Sequence, residues 1–92
     1  MYNIKPYSYE QARKLNVTIK PSKRKNKKID VFDVKGNYIA SIGDINFKDY
    51  PTYIEDEGKK YAMKRRTLYQ IRHKGENLKK GTAGYYAWFI LW

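Results

Sequence analysis

Eight consecutive residues, Tyr85-Tyr86-Ala87-Trp88-Phe89-Ile90-Leu91-Trp92, carry no polar group beyond two phenols and two indoles, and they hold both tryptophans of the chain. The rest is polar and strongly basic, with a formal net charge of +11. Whatever core this chain forms must gather around that segment, because apolar burial is the main drive to fold. Thr82 precedes it as a helix cap, so residues 83–91 read as a helix that is apolar on every side and needs cover all round. Tyr86, Phe89 and Ile90 are expected to face the core. Tyr85, Trp88 and Trp92 are left as candidate interface residues, for a second subunit that would cover the remainder.

With 92 residues, of which 41% are hydrophobic and ten are Tyr, the chain fits a single small domain with a thin core. Cysteine is absent, which excludes disulfide staples, thiolate metal sites and thiol nucleophiles. No run is apolar for the roughly 20 residues that a membrane span needs. No charged start followed by a long apolar run marks a secretory leader, so the expected setting is not extracellular.

Charge falls in blocks. Residues 1–28 carry nine Lys/Arg against Glu10, residues 29–58 two against seven acids, and residues 59–92 nine against Glu76. Two basic blocks around an acidic middle favour a polyanionic partner, nucleic acid first, with an anionic membrane surface or an acidic protein behind it. The plain alternative is solubility, with the middle pairing internally to the ends.

Along the chain, Ser8 with Gln11 three residues on reads as a capping box opening a helix over residues 9–15, and residues 1–7 read as a flexible lead. Val17-Thr18-Ile19-Lys20 alternates as a brief strand before Pro21. Residues 21–28 form a basic loop or arm, in which Lys23, Arg24, Lys25, Lys27 and Lys28 are candidate phosphate contacts. Residues 29–34 and 38–42 are β-rich runs joined through Lys35-Gly36-Asn37, the pattern of a β-hairpin. Residues 59–74 make the best helix, closed by Gly75, with Tyr61, Leu68 and Ile71 expected inward. Lys64, Arg65, Arg66 and Arg72 on that helix are the second set of candidate phosphate contacts. His73, the single histidine, is expected to hydrogen-bond at the helix end, with an acid of the middle block as its partner. Together these elements predict an α+β domain, a hairpin over residues 28–42 with the 59–74 and 83–91 helices on one face.

No catalytic constellation is visible. Glu55-Asp56-Glu57 are consecutive and cannot converge on one ion, and Asp30, Asp33, Asp44 and Asp49 have no supporting histidine. A non-enzymatic role without cofactor or metal is expected.

Lys27-Lys28-Ile29-Asp30-Val31, Ile39-Ala40-Ser41-Ile42-Gly43, Tyr50-Pro51-Thr52-Tyr53, Arg65 to His73, Thr82 to Ala87 and Ile90-Leu91-Trp92 carry a resemblance. Their pattern resembles a family of small uncharacterised basic proteins encoded by large double-stranded DNA viruses and by tailed phages. The family usually places a basic residue in the closing helix, where this chain has Ala87-Trp88-Phe89. The resemblance implies a viral setting, in the virion or the host cell interior, and brings no catalytic residue with it. Two roles follow as expectations: binding nucleic-acid phosphates, or a minor structural part in the capsid or its assembly.

Overall fold

Pro6, not Ser8, opens the first helix. Proline suits the first helical turn because its missing N–H would have no partner there. A computed structural model describes residues 1–92 and gives α1 as Pro6–Lys14, with Lys5 before it offering no side-chain cap. Ser8 therefore sits inside the helix, fully buried, and its Oγ donates to the Ile90 carbonyl at 2.8 Å. The expected flexible lead is also tied down: Ile4 is in the core, and the Tyr2 hydroxyl donates to Asp49 Oδ2 at 2.5 Å.

Three strands follow, β1 (Thr18–Pro21), β2 (Lys27–Phe32) and β3 (Tyr38–Asp44), in an antiparallel sheet of that order. The expected hairpin is β2–β3, and β1 extends it to a meander. Pro21 is accommodated because β1 lies at the edge, where a missing donor breaks no ladder bond. Ile19 pairs with Val31 and Ile29 with Ile42, so their side chains form one apolar face. Asp30, between Ile29 and Val31, points to the other face by the pleat. There it accepts from Ser22 Oγ and Ser41 Oγ, both at 2.6 Å.

The remaining elements are α2 (Tyr50–Glu57), α3 (Lys59–Arg72), a single 3₁₀ turn (Glu76–Leu78) and α4 (Ala83–Ile90). Asp49 caps α2 through its Oδ1, which accepts from the Thr52 amide at 3.0 Å. One residue, Gly58, separates α2 from α3, at φ 88° and ψ 159°. That is a region essentially reserved for glycine, so the chain can reverse there in a single step.

Packing places α4 at the centre, against β3, α1 and the 3₁₀ turn. Ile90 and Leu91 are fully buried among Ile4, Ala12, Ile19, Ile29, Val31 and Ile42. A helix leaves its last carbonyls without intrahelical partners. Here Ser8 takes that of Ile90, the Tyr50 amide that of Leu91 (3.0 Å), and the Tyr7 hydroxyl that of Trp92 (3.3 Å). Phe89, expected in the core, is only partly buried.

The third helix departs most from expectation. It lies on α2, not on the sheet, and touches the core through Tyr69, whose ring stacks on Trp92 at 4.4 Å and 8°. Its inner stripe is Ala62, Arg65, Arg66 and Tyr69, at i, i+3, i+4 and i+7. Arg65 lies over the Tyr53 ring at 5.5 Å and Arg66 over Tyr50 at 5.0 Å. A guanidinium covers an aromatic face while its stem packs, so arginine can supply the inner side of a helix. Leu68 and Ile71, 37% and 67% exposed, are thereby turned to solvent, and Tyr61 is 40% exposed. No helix is long and apolar enough to cross a membrane.

Candidate functional site

Where the β2–β3 hairpin ends near α3, the surface opens into a cleft of about 540 Å³. Lys27, Lys28 and Asp44 come to it from the strands, and Phe47 and Lys48 from the turn after β3. Arg65, Arg72 and His73 come from α3. Tyr53, Tyr69, Leu91 and Trp92 make its apolar surface.

The aromatic part is rigid by construction. Tyr69 is held between Trp92 and His73, the second ring at 4.2 Å and 24°. Burial pushes the Tyr69 phenol up to about 12, with the Glu76 charge adding to it, so it stays neutral at physiological pH. His73 Nδ1 sits 2.7 Å from Glu76 Oε2. The acid that meets His73 thus comes from the next turn and not from the acidic middle block.

Five Lys/Arg and His73 line the cleft, against Asp44 alone among acids. Three of the six are answered within the chain. Lys28 pairs with Asp49 at 2.8 Å, Lys48 with Asp56 and Glu57 at 3.3 and 3.4 Å, and His73 with Glu76. Lys27, Arg65 and Arg72 form no ion pair. The Nε atoms of Arg65 and Arg66 are both buried without an acceptor among the protein's own atoms, each where the guanidinium covers a tyrosine ring, so this feature is common to the two and not special to the cleft. The cleft is a place of surplus positive charge.

The sequence-derived site residues divide accordingly. Arg65 and Arg72 reach the cleft together with Lys27. Lys28 does not serve as a surface contact. Its side chain is 5% exposed and its Nζ is held by Asp49, itself 1% exposed, which also accepts from Tyr2 and Thr52. Burial pushes the Asp49 carboxyl up, but the Lys28 charge and the bonds from Lys28, Tyr2 and Thr52 outweigh it and hold the group below its usual range.

Lys23, Arg24 and Lys25 are exposed in the connection between β1 and β2. That connection is anchored, not a free arm. Ser22 Oγ accepts from the Arg24 amide at 3.0 Å, and Asp30 Oδ2 from the Lys23 amide at 3.3 Å. Lys64 is exposed on α3 away from the cleft, and Arg66 is partly buried over Tyr50.

Tyr85, Trp88 and Trp92 are each partly buried and engaged within the chain. Tyr85 meets Phe89 at 5.0 Å, Trp88 meets Tyr69 at 6.2 Å, and Trp92 stacks on Tyr69. Phe47, Lys48 and Tyr53 were beyond sequence reasoning, since they belong to a turn and to α2. The one available signal was Asp49 with Pro51 two residues on, a helix start that would have brought Tyr53 into view.

Each aspartate that a metal site would need has a structural task instead. Asp30 binds two serines, Asp49 holds Lys28, and Asp33 and Asp44 accept amides in their own turns. No three His, Asp or Glu side chains are grouped as metal ligands would be.

Fold and cleft together define a small α+β domain with a basic, aromatic-walled recess. Comparison of the chain with protein-family models, with curated proteins and with solved structures finds no match to any of them.

Proposed function

We propose that this protein acts by binding nucleic acid through its phosphates, without chemistry of its own. The observation that carries the reading is the set Lys27, Arg65 and Arg72, three cations lining one cleft that form no ion pair within the chain, with Asp44 the single carboxylate among the lining residues. Phosphate oxygens meet that need, and arginine is the side chain best matched to them. The exposed Lys23, Arg24 and Lys25 add a second basic surface nearby in sequence, and the net charge of +11 supports attraction to a polyanion over distance. Phosphate contacts position without reading bases, so sequence preference should be weak.

The resemblance of the motifs to the virus- and phage-encoded family supports a setting at viral DNA, in the virion or the host cell interior. A minor structural role is a second reading. It draws support from the solvent-facing Leu68 and Ile71 of α3 more than from the engaged aromatics of α4.

The test is fluorescence anisotropy of labelled DNA of mixed sequence, titrated at low and at physiological salt. Binding at low salt that weakens steeply with added salt and changes little between sequences is expected. An undetectable complex at low salt would remove the nucleic-acid reading.

A further inference from the structure

The cleft does not stand alone. A second concavity of about 390 Å³ shares Lys27 with it as a lining residue and is bounded further by Arg24, Asn26 and Ile45. Joined at Lys27, the two make a track: Arg65 and Arg72 line the first concavity and Arg24 the second, its guanidinium lying over the Tyr38 ring at 5.4 Å.

Three features bear on what such a track accommodates. Its cations are spread over two joined concavities, which suits successive phosphates better than one small anion. Its larger part is walled by aromatic rings, and Phe47 stands at its edge 70% exposed. A ring so exposed does little for the core, whereas an unpaired base stacks on such a platform whatever its identity. Finally, it is a recess. A duplex carries its phosphates on a wide, stiff cylinder with the bases stacked inside, and it would meet only the rim. A single strand can feed its flexible backbone in and turn its bases out.

We infer that the track takes a single strand of nucleic acid, with phosphates on Arg24, Lys27, Arg65 and Arg72 and a base laid against Phe47. This rests on the nucleic-acid reading above and specifies its substrate. A strand rather than a free nucleotide is indicated because Arg24 lies in the second concavity, beyond Lys27.

The experiment compares a labelled oligothymidine with a duplex of equal length, for the parent, Phe47→Ala and Arg24→Gln, with melting curves confirming that each variant folds. The parent is expected to favour the single strand by about tenfold or more. Its log affinity should fall with log salt at a slope near −3, about 0.7 for each of four contacts. Phe47→Ala should weaken the single strand about tenfold, the loss of one stacked base, and leave any duplex binding unchanged. Arg24→Gln should reduce the slope by about 0.7.

Equal affinity for duplex and single strand, or an unchanged single-strand affinity in Phe47→Ala, overturns the inference while the broader reading stands. An unchanged slope in Arg24→Gln does the same, as does a thymidine mononucleotide that competes as well as the oligomer. Failure of the parent to bind either form at low salt overturns the broader reading itself.

Discussion

Lys28 is a buried, structural cation among exposed basic neighbours. Counted with Lys23, Arg24, Lys25 and Lys27 as surface charge, its removal should leave the melting temperature unchanged. The structure requires the opposite. Lys28→Met keeps the stem and deletes the charge, leaving the Asp49 carboxylate buried without its cation. Breaking a buried pair from one side costs about 3–5 kcal/mol. Asp49 keeps the Tyr2 hydroxyl and the Thr52 amide, two donors that place the loss near the lower end, about 3 kcal/mol. For a domain of this size that is a fall in Tm of roughly 12–24 °C.

The loss also depends on pH in a defined direction. In the parent, the folded Asp49 carboxyl titrates below its unfolded value, so its stabilisation is present above about pH 4 and disappears as pH falls further. In the variant, burial acts without the cation and raises the same group, so protonation relieves the strain and acid favours the variant relative to the parent. Circular-dichroism melts at pH 7 and about pH 3.5 should show a large gap that narrows in acid. Replacing both partners, Lys28→Met with Asp49→Asn, should recover most of the loss, because no lone ion remains. A single variant that melts within a few degrees of the parent at pH 7, or a gap equal at both pH values, would refute this reasoning.

Gly43 has φ +80°, and a Cβ there would lie 2.7 Å from Leu91 Cδ1 and 2.9 Å from Lys28 Cδ. Gly43→Ala should therefore cost about 1–3 kcal/mol in urea denaturation, from backbone strain and overpacking together. The rotation of α3 gives a paired expectation. Tyr69→Ala should cost about 3–5 kcal/mol, while Ile71→Lys should stay within about 0.5 kcal/mol of the parent. Equal costs for the two would mean that the helix presents its other face to the core.

Elements marked by local chemistry were legible in the sequence. The Lys35-Gly36-Asn37 connection marked the hairpin, and Gly75 marked the end of α3 to within a few residues. Thr82 does cap α4, accepting from the Tyr85 amide at 3.2 Å. What was hidden depends on contacts across the fold. Ser8 reads as a cap until Pro6 is seen to start the helix earlier, which turns the hydroxyl inward to Ile90. Apolar periodicity on α3 chose Leu68 and Ile71 as the inner face, because it treats arginine as a surface residue. The tyrosines of α2 offer Arg65 and Arg66 aromatic faces that reverse the choice. Lys28 looks like its neighbours in a basic run, and only the fold brings Asp49, 21 residues away, to its ammonium. Of the site itself, Arg65, Arg72 and Lys27 were legible as cations. Their convergence with Phe47 and the Trp92–Tyr69 stack was not.

The central claim is that cations left unpaired in the cleft hold phosphates. It is tested most directly by the salt dependence of binding in Lys27→Gln/Arg72→Gln, two exposed positions outside the core. Anisotropy titrations of parent and variant across a salt series, with Tm checked alongside, give both slopes. The variant should melt like the parent, and its slope should be shallower by about 1.4 on a single strand or about 1.8 on a duplex, two phosphate contacts in either case. A variant that binds with the parent's affinity and slope would place the phosphates elsewhere and contradict the claim.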